Sequence, residues 1–335
     1  MNKVAVVILN YNGRQYLEQF LPSVVKYSKP HEVIIADNCS TDDSVEYLKS
    51  NYPSLEIIEI PFNQGYSAGY NYALQKVNSE YYILLNSDIE VTENWIDPVI
   101  ESIERDNNVV AAQPKIKSFH EPEKFEYAGA AGGYLDKYGY AFCRGRIFET
   151  LESDTGQYDD EKSIFWATGA CLFIKSNDFH ELGGFDDRFF AHMEEIDLCW
   201  RINRTGKQVI YCPNSVIYHV GGGTLEKSNP KKTYLNFRNG LSMLLKNYSL
   251  LELFTKLPVR ILLDWVAVIK FSFDSPKHGF AIVKAHIDAI GNLYGTIKRR
   301  KAFSRKFQGQ NEAHLYNKSI VWQYFAKNKK YYSDL

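Results

Sequence analysis

Three short segments, far apart in a chain of 335 residues, carry side chains that can do chemistry together: Asn86-Ser87-Asp88, the acidic pair Glu194-Glu195 ahead of Asp197, and His219. Each stands at or near the end of an apolar stretch, where a parallel sheet presents its ligand-binding side chains. Asp88 and His219 offer an oxygen and an imidazole nitrogen to a divalent cation. The acidic pair offers a general base. The pattern is that of an enzyme.

The elements that must position these groups are legible in the first hundred residues. Val4–Leu9, Val33–Ala36, Leu55–Ile60 and Tyr81–Leu85 are short apolar runs that read as strands. Between them, Leu17, Phe20, Leu21, Val24 and Val25 form a helical stripe over Gln15–Tyr27, and Ser40-Thr41-Asp42-Asp43 is a helix-start signal. Alternation of this kind predicts βαβ units, an α/β doubly wound sheet, with ligands in the loops after the strands.

Composition is that of an ordinary globular chain with a sizeable core. The net charge of −1 hides a division, because Met1–Glu226 holds 19 basic and 34 acidic residues whereas Lys227–Leu335 holds 20 and 6. Five widely spaced cysteines without a CxxC pair predict buried free thiols. Val4–Leu9 is too short for a signal-peptide core, so the expectation is a cytoplasmic chain.

Loop chemistry narrows the choice. Asn10-Tyr11-Asn12-Gly13 after the first strand lacks the GxGxxG turn, and no GxxxxGK[ST] loop occurs. A dehydrogenase or P-loop enzyme is thereby disfavoured. The segments VVILNYNG, DNCSTDDS, NQGYSAGYN, LLNSDIE, WATGACLFIK, GGFDDRFFAHMEEIDLCWR and YHVGGG follow one another between residues 3 and 245. In these segments the chain resembles the family-2 glycosyltransferases, whose fold is GT-A, and within them the bacterial rhamnosyltransferase-like enzymes of surface polysaccharide assembly.

The resemblance implies transfer of a sugar, with inversion, from a pyrimidine nucleotide-diphosphate donor (dTDP- or UDP-sugar) to a glycan or lipid-linked glycan. It implies donor contacts at Asn10, Asn12, Asp37, Asn63, Gly65, Gly69 and Asn71, and at Asn86, Ser87 and Asp88. Asp37 would accept the ring N–H of uracil or thymine; its competing role is a helix cap. The glycines would let backbone approach ribose and diphosphate, having no Cβ. A divalent metal, Mn2+ or Mg2+, would hold the leaving diphosphate through Asp88 and His219. Relatives often carry a second aspartate where this chain has Asn86; a neutral amide there could ligate weakly or bind the donor ribose, and His219 would partly compensate.

Glu195, the second member of the acidic pair, is the expected catalytic base, and Asp197 and Arg201 a salt bridge at i and i+4. Thr168, Gly169, Asp187 and Glu194 are expected on the acceptor side. Residues 117–162 hold no usable motif and suggest hairpins that shape the acceptor pocket.

A catalytic domain over 1–230 is followed by an amphipathic helical region over 231–335. No apolar run there reaches the ~20 residues of a spanning helix. Lys298–Lys301, Arg305 and Lys306, beside Trp265, Phe271, Phe273 and Phe303, read as a surface for anionic lipid headgroups, hence peripheral contact with the inner face of the cytoplasmic membrane. Nucleic acid is not an expected partner, for want of a reader motif. Two other readings share the same residues: a metal-dependent nucleotide-sugar hydrolase and a catalytically silent sugar-nucleotide-binding module.

Overall fold

The computed structural model describes residues 2–221, 228–307 and 315–335. The predicted alternation is present as β1 (Asn2–Asn10), α1 (Arg14–Tyr27), β2 (Glu32–Asp37), α2 (Ser44–Asn51), β3 (Glu56–Glu59), α3 (Gly65–Leu74) and β4 (Ser79–Asn86). Next come β5 (Ile89–Val91), α4 (Asp97–Arg105) and β6 (Val109–Ser118). The motif-free stretch forms β7 (Gly133–Leu135), β8 (Ala141–Cys143), β9 (Arg146–Ile147) and β10 (Thr150–Leu151). β11 (Lys162–Ile164), β12 (Cys171–Lys175), α5 (Ser176–Glu181), α6 (Glu194–Arg204) and β13 (Gln208–His219) complete the sheet region. The α-helices α7 (Pro230–Asn247), α8 (Leu250–Thr255), α9 (Leu257–Asp274), α10 (Pro276–Gly291) and α11 (Leu293–Lys306) follow.

The large sheet has the order β11-β13-β6-β12-β4-β1-β2-β3, with β5 added to β13. β4, β1, β2 and β3 are mutually parallel, β12 is antiparallel to both β4 and β6, and β13 is parallel to β6. These directions have one consequence for function. The C-terminal ends of β1, β2, β4 and β13 and the N-terminal end of β12 all open at one edge of the sheet.

Side-chain alternation along β1 divides the core into two layers. Val4, Val6 and Ile8 pack on one face with Leu17 and Leu21 of α1 and Val99 and Ile103 of α4. Ala5 and Val7 pack on the other with Tyr70 of α3, Trp200 of α6 and Leu244 of α7. The core therefore continues past residue 230, where the chain changes from mixed to helical structure without a break in packing. Residues 315–335 also return to the body, where Ile320 packs on Phe142 and Ile147 of the small antiparallel sheet β10-β9-β8-β7. Four cysteines are buried and free as expected, but Cys39 is exposed, because it sits in the loop after β2 with φ of +62°.

Candidate active site

β4 ends at Asn86, and Ser87-Asp88 leads directly into β5, which runs antiparallel to β13 with Ile89 opposite His219. Val220 N–H donates to Asp88 O at 3.1 Å. This pairing brings His219 Nε2 to 3.1 Å from Asp88 Oδ1, both side chains being buried. On the far side of the ring, Glu126 Oε2 lies 3.3 Å from Nδ1. Burial alone would lower the pKa of the imidazole, but Glu126 and Asp88 outweigh it and raise the value to about 10. Glu126 is itself held by Ala128 N–H, at 2.5 Å. Gly221, with φ of +74°, leaves it room, since a Cβ there would fall 2.9 Å from Glu126 Oε1. Gly222 and Gly223 lie outside the described residues.

A carboxylate oxygen and an imidazole nitrogen converging in this way suit a divalent cation, and Mn2+ tolerates the nitrogen better than Mg2+ does. Among the described residues no group of three His, Cys, Asp or Glu surrounds a common point. Glu126 meets the other ring nitrogen by charge at 3.3 Å without a well-aligned hydrogen bond, on the side from which a carboxylate can orient a ligating histidine.

The acidic pair opens α6 after a backbone that is costly to hold. Phe190, His192 and Met193 have φ of 64°, 70° and 72°, a region side-chain-bearing residues seldom occupy. The buried amide of Asn239 on α7 stabilises it, donating from Nδ2 toward the carbonyls of Phe189, Ala191 and His192 at 2.8–2.9 Å. Inside α6, the expected Asp197–Arg201 bridge is present at 3.1 Å. It reaches further than the helix, because Arg201 also donates to Leu182 O and Gly184 O, each at 2.7 Å, and Lys246 meets Asp197 at 2.8 Å.

Among the described residues, neither Glu194 Oε2 nor Glu195 Oε2 has a hydrogen-bond partner, although both atoms are out of solvent. Burial raises the carboxyl of Glu195 to about 7. Glu194 is held well above the usual carboxylate range, by burial first and then by the charge of Glu195. The pair is tied to the 86–88 segment through one turn. Tyr66, whose hydroxyl is shifted up by burial and by the charges of Tyr70, Glu194 and Glu195, donates to Gly169 O at 2.6 Å, and Asn86 N–H donates to Ala170 O at 2.9 Å.

At the ends of β1 and β2, Asp37 accepts from Asn10 Nδ2 (3.0 Å), Ser40 Oγ (2.6 Å) and Ser40 N–H (2.9 Å). A carboxylate offers about four lone-pair sites, so Asp37 pins the loop after β2 rather than capping a helix, α2 having Asp43 at its N-cap, and one site on Oδ2 is left for a base. Asn12 Oδ1 accepts from Thr41 N–H at 2.7 Å and pins the same loop. Asn10 Oδ1 is buried without a partner among the described residues.

The glycine-rich turn differs from expectation. Phe190 O accepts the N–H groups of Tyr66 (2.6 Å) and Ser67 (3.1 Å), and a Cβ on Gly65 would strike the Phe190 ring at 2.5 Å. The close approaches at Gly65 and Gly69 are thus to the protein itself, the second to Leu9. Asn63 Oδ1 accepts from Gly65 N–H and from Asn38 Nδ2. Asn71 is likewise engaged internally, with Phe185 N–H and O and with Asp187. Thr168 braces its own turn, its hydroxyl accepting from Ala170 N–H at 3.1 Å.

Against known proteins, residues 5–177 match the model described as Glycosyl transferase family 2. The chain belongs to this family. It is 26% identical over 233 residues to the N-acetylglucosaminyl-diphospho-decaprenol L-rhamnosyltransferase of Mycobacterium tuberculosis, covering 64% of this chain and 75% of the relative. Rhamnosyltransferase WbbL of Escherichia coli is 22% identical over 222 residues, 63% and 80% of the two chains. The structure of GalNAc-T7 with UDP, GalNAc and Mn2+ superposes with a TM-score of 0.57 at 18% identity, over 73% of this chain and 48% of that one, about half its length. S. aureus TarS 1-349 in complex with UDP-GlcNAc gives 0.53 at 16% identity, over 90% and 83%. The fold is GT-A with a helical C-terminal region, and the chain is a rhamnosyltransferase-like family 2 glycosyltransferase.

Two parts of this family 2 site escaped the sequence. Glu126 sits in an irregular stretch with neither periodicity nor motif, and Asn239 reads as one polar residue on an amphipathic helix. The basic run on α11 is also less free than its sequence suggests. Arg300 donates to the carbonyls of Leu245 (3.0 Å) and Tyr248, Arg299 meets Asp186 at 3.3 Å, and Lys306 bonds Glu181 O.

Proposed function

We propose that this glycosyltransferase moves a sugar from a dTDP- or UDP-sugar to a glycan or lipid-linked glycan in surface polysaccharide synthesis, inverting the anomeric carbon. What supports this reading is the Asp88–His219 pair at the sheet edge and, linked to it through Ala170, Gly169 and Tyr66, the Glu195 carboxyl, raised to about 7 with one buried oxygen unpartnered among the described residues. The names of the rhamnosyltransferase relatives support the class of reaction, and the neighbours solved with UDP, UDP-GlcNAc and Mn2+ support the donor and the ion.

Asp37, with its remaining lone pair, accepts the ring N–H of the pyrimidine, while Asn10, Asn12, Asn63, Asn86 and Ser87 line the donor side. Asp88 and His219 would hold Mn2+ or Mg2+, with Glu126 beside the imidazole, and a bound ion would supply positive charge for the departing diphosphate. Ionised Glu195 takes the proton of the acceptor hydroxyl. That oxygen bonds the anomeric carbon as the bond to the diphosphate oxygen breaks on the opposite face, which gives inversion. Glu194, keeping its proton, adds no second negative charge, and Gly169 and Asp187 flank the acceptor.

The test is a panel of dTDP- and UDP-sugars, with and without Mn2+ and a polyprenyl-diphosphate-linked sugar. Acceptor-dependent release of nucleotide diphosphate with an inverted product is expected. Release at full rate without acceptor would make the protein a hydrolase, and donor binding without turnover a silent module.

A further inference from the structure

The strongest feature outside the site is an inside-out helix. Over α9, Leu262, Trp265, Val266, Ile269 and Phe273 recur at helical spacing on the exposed side, Phe273 being 86% exposed. The inward side carries the ion pair Arg260–Asp264 at 2.8 Å, with Asp264 fully buried and further bonded by Tyr140 (2.8 Å) and His286 (3.2 Å). A water-facing helix on a globular protein shows the opposite arrangement.

Its partner α10 repeats the inversion by size. Apart from Ile282, it buries small residues such as Gly279, Ala281 and Ala285, and it exposes Phe280, Ile287 and Ile290. Fifteen of the twenty exposed large apolar side chains among the described residues fall between Leu250 and Ile297. Soluble monomers rarely expose contiguous apolar patches of more than a few hundred Å² without a binding role.

Charge identifies the occupant. Lys227–Leu335 holds 20 basic and 6 acidic residues, and Lys270, Lys277, Lys298, Lys301 and Arg305 are exposed on α9–α11. Phe280 also lines an apolar groove of about 540 Å³ between α7 and α10, bordered by Lys231, Lys277 and Lys284. A two-fold contact with a second copy would set this basic surface against itself. An anionic surface turns the same charges into attraction. Among the described residues no helix is long and apolar enough to cross a membrane.

We infer that the α9–α10 hairpin is a monotopic membrane-docking face, which lies in the headgroup layer of an anionic bilayer with its apolar side chains among the acyl chains and its lysines on the lipid phosphates. The contact thus belongs to the outward face of α9 and α10, not to the α11 basic run alone. It does not depend on the sugar or the reaction. Through α7, whose Asn239 holds the loop before the acidic pair, it sets the catalytic edge at a fixed distance from the lipid surface.

Flotation of the full chain with phosphatidylglycerol–phosphatidylcholine vesicles tests this, alongside pure phosphatidylcholine. Wild type is expected to float with the anionic vesicles and to bind the neutral ones about tenfold or more less tightly. I269D/F273D, both at exposed positions, is expected to keep the wild-type melting temperature and lose binding by about tenfold or more. K277E/K298E should lose only the preference for anionic lipid. Wild type that fails to float overturns the inference, as does a double aspartate variant that floats normally. A stable dimer without vesicle binding, made monomeric by I269D/F273D, would assign the face to a second copy instead.

Discussion

His219 Nε2 lies 3.1 Å from Asp88 Oδ1 across a sequence separation of 131 residues, and the contact is made by strand register rather than by side-chain reach. The β5–β13 ladder sets Ile89 opposite His219, so the residue just before β5 must fall beside the imidazole. Asp88→Ala should leave that ladder intact and remove only the carboxylate proposed to hold the ion. Mn2+-dependent donor binding should weaken by about tenfold or more, while the melting temperature of the metal-free protein moves little. Unchanged nucleotide affinity in Mn2+ would remove Asp88 from the ligand set.

Glu126 acts on the same ring from behind. Glu126→Ala should lower Mn2+ affinity by about 10- to 100-fold, read from the electron paramagnetic resonance of free Mn2+. Glu126→Gln keeps an acceptor oxygen but not the charge and should fall between wild type and alanine. Equal affinity in all three would show that His219 needs no orienting partner.

The fold was legible because alternation and helical spacing are local, and each apolar run became the strand or helix its period required. Asp88, Glu195 and His219 stood out by lying at or near the ends of such runs, and the roles proposed for them came from the family resemblance. Glu126 was not, since only the fold of residues 117–162 brings it to His219. The spacing of Ile261, Trp265 and Ile269 announced a helix face without saying which way it points, because period carries no sign. The inward Arg260–Asp264 pair decides it.

Glu195 makes a prediction about pH. Burial holds its carboxyl near 7, while burial and the charge of Glu195 raise that of Glu194 above the usual carboxylate range, so the pair titrates together. The base works only when ionised. kcat/KM should therefore rise with pH through an apparent value near 7, and fall on the acid side. Glu195→Gln should abolish this limb and cut transfer by about 100- to 10,000-fold with donor affinity retained. Normal turnover in the glutamine variant would exclude Glu195 as the base.

Asn239 supports the same pair without touching substrate. Its amide holds three carbonyls of a loop with positive φ at Phe190, His192 and Met193. Asn239→Ala takes the side-chain donor from the carbonyls of Ala191 and His192 and should cost about 1–3 kcal/mol of stability, seen in urea melts. The released loop leads into the acidic pair, while its Phe190 carbonyl also holds the Tyr66–Ser67 turn, so kcat should fall by more than donor KM rises. A rise in donor KM at constant kcat would place the loop's role on the donor side.

Lys246 joins the acidic loop to α7 through two buried carboxylates, Asp186 at 2.9 Å and Asp197 at 2.8 Å. Burial alone would raise the pKa of Asp186, yet Lys246 and Arg188 outweigh it and hold the carboxyl well below its ordinary value. A carboxylate depressed on folding adds stability that is complete above its unfolded pKa of about 3.9 and is lost as pH falls toward the folded value. Lys246→Met removes the cation and leaves both carboxylates buried, a change that costs about 3–5 kcal/mol where an ion pair is broken on one side. The variant should melt earlier at neutral pH and lose less further stability on acidification below about pH 4 than wild type does. Arg188 and Arg299 still face Asp186, at 2.9 Å and 3.3 Å, so part of the acid dependence should survive. Parallel acid limbs in the two proteins would mean that Lys246 does not set the ionisation of Asp186.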